Sequence, residues 1–301
     1  MQLDACSEKS WSTIDAHISQ QTGQPFKSVT HTSMGGGCIN AAYHISGGGL
    51  DFFVKINAPG MHEMFAAEAA GLQEIINCGA VRAPAPICHG TTALVSYLAL
   101  EFLSLVACSG PACELLARQL ASMHTHTANQ FGWRINNTIG ATPQSNILHQ
   151  DWISFWREER LEFQLRLASR NGIDGGLQKK GARLLDQLEQ FFPGYTPLPS
   201  LLHGDLWNGN CGAIKEGAPV IFDPAVYYGD RETDLAMSEL FGGFPARFYA
   251  AYREAYPLDP GYEIRKTLYN LYHVLNHANL FGGSYAAHAG RMLDLLLSEI
   301  R

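Results

Sequence analysis

Hydrophobic and polar positions follow different patterns in the two parts of the chain. Between residues 26 and 57, short apolar stretches are separated by glycine-rich links, which is typical of strands joined by hairpins. Beyond residue 111, apolar residues recur every three or four positions over long segments, which predicts amphipathic helices. The same spacing predicts helices over 10–22 and 61–77, and two more strands are expected over 93–106. The other predicted C-terminal helices lie near 150–171, 177–192, 232–241, 245–256, 261–281 and 287–300.

This order of elements predicts the fold class. A β-rich part followed by an α-rich part is typical of an α+β protein. We expect residues 1–103 to form an N-terminal lobe and residues 104–301 a helical C-terminal lobe, with the joint near 101–104. Residues 81–90 contain two prolines and are expected to form an irregular link. A crevice between two such lobes is a common place for a ligand.

Composition excludes several classes of protein. The 301 residues are 46% hydrophobic and only 16% charged, which excludes an intrinsically disordered chain. The formal net charge of −7 argues against a broad nucleic-acid-binding surface, because such a surface is basic. The most apolar segment, 93–108, contains Glu101 and is shorter than the roughly 20 residues of a membrane span. We therefore expect a buried strand there, and no membrane association.

The N-terminal residues and the cysteines indicate the compartment. The chain begins without the basic and apolar regions of a secretory signal. Its seven cysteines are scattered and form no C-x-x-C pair, unlike a disulfide framework or a cysteine zinc site. A reducing, cytoplasmic location is therefore expected.

The strongest chemical signal is the motif HGDLWNGN, which contains Asp205 and, five positions later, Asn210. Asp223 follows a short apolar stretch further along the chain. A carboxylate can orient an acceptor hydroxyl and take its proton, and amide and carboxylate oxygens are hard ligands for Mg²⁺. The spacing therefore predicts phosphoryl transfer, with Asp205 as the base and Asn210 and Asp223 as Mg²⁺ ligands. The alternative is a polar turn followed by a structural aspartate.

A lysine and a glutamate in the N-terminal part extend this pattern. Lys55 lies within the apolar strand FFVKI, and Glu68 lies within the predicted helix MFAAEAAGL. Kinases couple such a lysine to a helix glutamate, which holds the lysine against the nucleotide phosphates. The alternatives are a lysine on a sheet edge and a glutamate on a solvated helix face. The order of a strand lysine, a helix glutamate, an Asp-x4-Asn motif and a later aspartate is more specific for a kinase than any one of these features.

A glycine triplet precedes these residues. Gly35, Gly36 and Gly37 would let backbone N–H groups approach phosphates, although a triplet alone is weak evidence. The segment fits neither a Walker loop nor a dinucleotide-binding fingerprint. The second triplet, 47–49, is predicted to be a plain hairpin turn. A redox role for Cys38, beside the first triplet, is a hypothesis.

At these residues the sequence resembles the fructosamine kinase family, relatives of the aminoglycoside phosphotransferases. The resemblance covers nearly the whole chain and rests on several segments. These are GGGCIN, FVKIN, MFAAEAAGL, RAPAPICHG, LEFL, HGDLWNGN, FDPAVYYGDRETDLAM and LYHVLNHANLFGGSY. It implies a bilobal protein-kinase-like fold, with an antiparallel sheet and a helix in the N-terminal lobe.

The resemblance also implies an activity. Family members use ATP and Mg²⁺ to phosphorylate the sugar 3-hydroxyl of ketosamines, the adducts that sugars form with amines, and the unstable product then releases the amine. The implied acceptor is a small ketosamine or a glycated amine. Backbone groups of Glu101, Phe102 and Leu103 would form the hinge that binds adenine. The alternatives are a kinase of another acceptor, such as an aminoglycoside or a choline-like compound, and a catalytically inactive nucleotide-binding module.

Several further residues have two interpretations each. The Trp207 indole either packs on the sugar or its linker, or belongs to the core. Asp234 either caps a helix or braces the catalytic loop, and bracing is favoured; His203 is expected to support the same loop. His277 either lines the acceptor pocket or is a core histidine.

Three other histidines are given structural interpretations. His273 and His277 are four residues apart, but without a third ligand a zinc site is not expected. His124 and His126 follow a predicted helix and are expected to contact its C-terminal carbonyl groups.

Overall fold

The computed structural model describes residues 6–35, 39–173 and 175–300. The α-helices are α1 (Glu8–Thr22), α2 (His62–Cys78), α3 (Pro111–His124), α4 (Trp152–Phe155), α5 (Glu162–Arg170), α6 (Gly175–Leu185), α7 (Glu232–Leu240), α8 (Ala246–Ala255), α9 (Tyr262–Phe281) and α10 (Ser284–Glu299). The strands are β1 (Thr30–Met34), β2 (Ala41–Gly47), β3 (Leu50–Asn57), β4 (Pro86–Thr91), β5 (Ser96–Glu101), β6 (Asn137–Ile139), β7 (Thr142–Gln144), β8 (Ser200–Leu202), β9 (Cys211–Ala213), β10 (Pro219–Ile221) and β11 (Tyr227–Gly229). A π-helical turn, Trp156–Leu161, joins α4 to α5.

The N-terminal part contains a five-stranded antiparallel sheet. Its strand order is β1-β2-β3-β5-β4, which places β3 in the middle. The turn between β2 and β3 has positive φ at Gly48 (60°) and Gly49 (82°), a backbone that favours glycine. This confirms the hairpin predicted at 47–49. Lys55 pairs with Ala42 on one side and Leu98 on the other, so it lies on the central strand.

The two faces of this sheet pack into different hydrophobic cores. On the outer face, Ile14 and Ile18 of α1 pack against Val54 of β3 and the neighbouring strands. We call this cluster the outer core. On the inner face, Phe65 of α2 and Leu98 of β5 belong to a larger cluster that continues through the helical part. Because strand side chains alternate between faces, Lys55 points away from the outer core.

Short strands within the helical part hold the segment that contains the HGD motif. Strand β8 ends directly before His203, and β9 begins directly after Asn210. Strand β10 pairs with β9 and ends two residues before Asp223, while β11 pairs with β8. His203, Asn210 and Asp223 are therefore each close in sequence to a strand that pairs with a neighbouring strand.

The predicted α+β class is confirmed, with a sheet and a helix first and mainly helices afterwards. The prediction for 81–90 is wrong, because this segment contains most of β4, which runs from Pro86 to Thr91. Proline fits there because Pro86 begins an edge strand, where a missing N–H is tolerated. Only one of the strands expected over 93–106 forms, as β5.

The division at residue 103 stays a prediction. None of the described helices is long and apolar enough to cross a membrane.

Candidate active site

The turn at Gly204 shapes the catalytic loop. Its φ of 82° lies in the left-handed region, and a Cβ at this position would lie 2.1 Å from the carbonyl oxygen of Ala225. Only glycine fits such an approach. The N–H of Ala225 donates to the carbonyl of His203 at 2.8 Å, so the turn is fixed against the segment that follows Asp223.

Asp205 and Asn210 lie side by side at the end of this loop. A 3₁₀ turn, Asn208–Asn210, brings the Asn210 Nδ2 atom within 2.8 Å of the Asp205 carbonyl and 3.2 Å of its Oδ2. These bonds leave Oδ1 of Asn210 as the oxygen available to a cation. Burial and the neighbouring Asp223 raise the pKa of Asp205 to about 7, although the bond from Asn210 opposes the shift. A carboxylate with this pKa is suited to accept a proton near neutral pH.

Lys55 joins the sheet to the catalytic segments. Its Nζ donates at 2.6 Å to Glu68 of α2 and at 2.6 Å to Asp223. Lys55 is only 6% exposed, so the lysine is not an edge residue. Burial alone would lower the pKa of Lys55, but the charges of Asp223 and Glu68 outweigh it and raise the pKa. Asp223 has φ of 57°, a left-handed backbone that places its carboxylate beside the lysine.

Asp234 lies beneath the catalytic loop. Its carboxylate accepts the backbone N–H groups of His203 at 2.7 Å and Gly204 at 2.8 Å. It lies in the first turn of α7 and is 1% exposed. Burial would raise the pKa of Asp234, but its hydrogen bonds and the nearby histidines lower it. The charged form is therefore the one that holds the loop.

The His203 side chain links the loop to the residue before Asp223. Its Nε2 donates to the Phe222 carbonyl at 2.9 Å, and its Nδ1 accepts the Asp205 N–H at 3.2 Å. Burial lowers the pKa of His203, which keeps the imidazole neutral and able to accept at Nδ1.

The contact of His124 with Asp234 was not predicted from the sequence. His124 does not contact the carbonyl groups at the end of its helix, so that prediction is wrong; His126 does, at 3.3 Å from the Ser122 carbonyl. The Nε2 of His124 instead lies 3.2 Å from Oδ2 of Asp234, and its Nδ1 lies 2.7 Å from the Tyr252 hydroxyl. His124 and Asp234 are 110 positions apart in the sequence, so no local pattern indicates the contact.

The predicted phosphate loop is only partly described. Gly36, Gly37 and Cys38 lie outside the described residues. At Gly35, an added Cβ would meet no atom of the described residues within 4 Å.

At the predicted hinge, the Glu101 carboxylate binds the Arg82 guanidinium and the Ala85 N–H. The Phe102 ring stacks on His44 with centroids 3.8 Å apart, and Leu103 is half-buried.

Trp207 and His277 lie in different surroundings. The Trp207 indole is 37% exposed and lies over Gly209, which argues against the core interpretation.

His277 is half-buried, and its Nδ1 lies 2.8 Å from the His273 carbonyl. Its ring lies among Phe241, Phe281 and Tyr285. Within the described chain, neither side chain hydrogen-bonds to Asp205, Asn210 or Asp223.

The structure thus brings together a lysine paired with a helix glutamate, an aspartate suited to accept a proton, and an amide and a carboxylate that can bind a cation. This set, between an antiparallel sheet and a helical part, defines a protein-kinase-like phosphotransferase. The family model for fructosamine kinase matches residues 10–299. The chain therefore belongs to the fructosamine kinase family.

Individual relatives agree with this family. A probable ketoamine kinase of Synechocystis is 47% identical, over 95% of this chain and 97% of its own length. A chloroplastic protein-ribulosamine 3-kinase of Oryza sativa is 40% identical, over 93% of this chain and 82% of its own. The crystal structure of a candidate fructosamine-3-kinase from Haemophilus somnus superposes with a TM-score of 0.88 at 29% identity, covering 95% and 97% of the two chains.

Proposed function

We propose that this enzyme transfers the γ-phosphate of ATP to the 3-hydroxyl of the sugar in a ketosamine. The observation that carries the proposal is the position of Asp205 in the loop. It has a raised pKa of about 7 and is held by Asn210 beside the lysine-bound Asp223. A base in this position can orient an acceptor hydroxyl and take its proton as the new bond to phosphorus forms.

The transfer balances without a further reactant. The 3-hydroxyl oxygen bonds to the γ-phosphorus, the bond from that phosphorus to the bridging oxygen breaks, and ADP leaves. The hydroxyl proton passes to Asp205 and then to solvent. In the product, phosphate replaces hydroxide as the leaving group beside the ketone. Its elimination, followed by addition of water, frees phosphate and the amine and leaves a deoxy-dicarbonyl sugar.

Lys55 is proposed to bind the phosphates of the nucleotide. It is a buried cation fixed by Glu68, so its direction does not depend on the ligand. Asp223 occupies part of its hydrogen-bonding capacity in the described structure. Of the three N–H donors of the Lys55 ammonium, two are used by Glu68 and Asp223, which leaves one for a phosphate oxygen.

The donor set fits Mg²⁺. Asn210 offers Oδ1, and the Asp223 side chain is 46% exposed, so its carboxylate can reach a cation beside the phosphates. Both are hard oxygen ligands of the kind that Mg²⁺ takes together with phosphate oxygens. When bound, the metal supplies neutralisation of the phosphate charge.

The remaining contacts to substrate are assigned by position. The backbone of Glu101, Phe102 and Leu103 is proposed to bind adenine, next to the fixed pair of Phe102 and His44. The exposed Trp207 indole is proposed to pack on the sugar or its linker, and His277 to line the acceptor pocket.

A substrate panel tests this function. ADP release is measured with fructosyl-, ribulosyl- and erythrulosyl-lysine, and with an aminoglycoside and choline as comparison acceptors. We expect turnover with ketosamines only, a phosphorus signal coupled to the proton on carbon 3, and subsequent release of lysine. A fructosyl-lysine analogue that lacks the 3-hydroxyl is the matched control. Turnover of that analogue, or no turnover with any ketosamine, would refute the proposal.

A further inference from the structure

A second cluster of metal-ligating side chains lies outside the catalytic set. His149, Glu158 and Glu159 have one donor atom each within 4.8 Å of one another, which no other group of three His, Cys, Asp or Glu side chains in the described chain achieves. We propose that this cluster is a binding site for a divalent transition metal, with Zn²⁺ as the representative ion. Imidazole and carboxylate are a donor set that Zn²⁺ takes in proteins.

The spacing of two donors already suits a metal. Nε2 of His149 lies 3.2 Å from Oε1 of Glu159. In a tetrahedral site with metal–ligand bonds of about 2.0–2.1 Å, neighbouring donor atoms are separated by about 3.4 Å. A neutral imidazole that donates to the carboxylate gives the same distance, so the metal would replace the shared proton. The two side chains are only 15% and 10% exposed, and water competes weakly for them.

Both sides of the cluster are held in place. The backbone N–H and carbonyl of His149 each bond to Phe131, at 3.0 and 2.9 Å. The His149 ring lies edge-on to Phe155, with centroids 5.8 Å apart. Glu158 and Glu159 belong to the π-helical turn. Because a π-helix has more residues per turn than an α-helix, successive side chains diverge by less than the 100° of an α-helix. Two consecutive glutamates can therefore point toward one ion.

The charges nearby set the expected affinity. Glu158 and Glu159 line a cavity of about 680 Å³ together with Glu162, Arg157 and Arg166. Arg166 is paired with Glu162 at 2.9 Å, so its charge is largely balanced. The buried Nε of Arg157 has no hydrogen-bond partner among the described residues. Arg157 is thus one group whose charge opposes a bound cation, together with the buried Arg160 beside Glu159, and its removal is expected to strengthen binding.

Occupation of the site would stiffen a segment that leads toward the active site. Arg160, next to Glu159, donates to the Ser145 carbonyl and to Oδ1 of Asn146 at 2.7 Å. The Arg160 guanidinium lies 4.1 Å from the centre of the Tyr227 ring. Tyr227 begins β11, the strand that follows Asp223. A metal bridging His149 and Glu159 would replace the hydrogen bond that already joins the same two segments with stronger coordinate bonds. We expect an increased melting temperature on binding.

The test uses the full chain without nucleotide. Zn²⁺ is titrated by calorimetry and by thermal melting, and Co²⁺ serves as a spectroscopic probe of the ligands. We expect one equivalent to bind, with a tetrahedral Co²⁺ spectrum that lacks thiolate-to-metal charge transfer. His149→Gln and Glu159→Gln should each weaken binding at least tenfold, and Glu158→Gln by less because its side chain is exposed.

Two matched variants separate metal binding from damage to the fold. Glu162→Asp keeps the charge that balances Arg166 in the same cavity, outside the cluster, and should leave affinity nearly unchanged. Arg157→Gln should tighten binding on the order of three- to tenfold, because a like charge is removed. Metal-free melting of each variant shows whether it folds. The proposal is overturned by absence of one-equivalent binding, by thiolate charge transfer with Co²⁺, or by equal affinity in the folded His149 and Glu159 variants.

Discussion

The imidazole of His124 lies 3.2 Å from the carboxylate of Asp234, within the core of the helical part. Asp234 uses the same carboxylate to hold the two backbone N–H groups that precede Asp205, the proposed base. On its other side, His124 contacts the Tyr252 hydroxyl, which accepts a hydrogen bond from Arg231 at 3.1 Å. The loop that carries Asp205 is therefore positioned through a buried chain of side chains that ends at α8.

We predict that His124→Ala lowers kcat on the order of tenfold and leaves KM for ATP nearly unchanged. The nucleotide contacts stay, while Asp234 loses a partner that fixes its direction. The free energy of unfolding should fall by about 1–3 kcal/mol, because a buried carboxylate loses a hydrogen bond. Steady-state kinetics and urea unfolding measure the two effects. His124→Gln, whose amide can donate to Asp234, should recover part of kcat. Equal loss of kcat in both variants would contradict a positioning role.

We predict that Asp205→Asn keeps nucleotide affinity and loses turnover by about 10²–10⁴-fold. The amide preserves the size of the side chain but cannot take the hydroxyl proton. Calorimetric titration with a non-hydrolysable ATP analogue measures binding, and ADP release measures turnover. Retained turnover would refute the assignment of Asp205 as the base.

We predict that Gly204→Ala lowers the free energy of unfolding by more than 2 kcal/mol and abolishes activity. A left-handed backbone costs a non-glycine residue about 1–2 kcal/mol, and the new Cβ would also collide with the Ala225 carbonyl, 2.1 Å away. Gly79→Ala is the matched control, since Gly79 has φ of 71° but no atom within 4 Å of an added Cβ. Urea unfolding should show the smaller loss there. Similar losses in both variants would mean that the collision is relieved by local movement.

Much of this architecture could be predicted because it depends on local pattern. The hairpin glycines, the strand around Lys55 and the helix around Glu68 each have a periodic or turn signal in a few consecutive residues. Strand β4 was missed because Pro84 and Pro86 indicate a link, and only the pairing with β5 shows that Pro86 begins an edge strand. Strands β8 to β11 have three residues each, too few to show a period. His124 was misinterpreted because its function depends on a partner distant in the sequence.

We predict that His273 makes the protein less stable in acid. Burial lowers the pKa of His273 from 6.5 to about 3. Between these two pH values the unfolded chain binds a proton that the folded chain does not. The contribution of His273 to the free energy of unfolding is therefore fully present above pH 6.5. It is lost as pH falls below that value, by up to about 1.4 kcal/mol per pH unit.

Urea unfolding between pH 7 and pH 4 measures this slope. His273→Asn should reduce the pH dependence of the free energy of unfolding by an amount that corresponds to at most one proton taken up on unfolding. The stability that the substitution itself removes at pH 7 is subtracted first. His126→Asn, at an exposed position, is the control for losing a histidine elsewhere. An unchanged slope in the His273 variant would contradict the prediction.

Among the described residues, the outer core and the larger cluster on the other face of the sheet have no buried residue in common. Helix α1 can therefore detach without exposing the interior that supports the catalytic loop, and it is expected to open as a separate cooperative unit. Its backbone amides should exchange hydrogen sooner than those of α9. Because β3 packs on α1 with one face and carries Lys55 on the other, such an opening would loosen the lysine first. Helix α1, although it contains none of the proposed catalytic residues, is thus expected to stiffen the strand that carries Lys55.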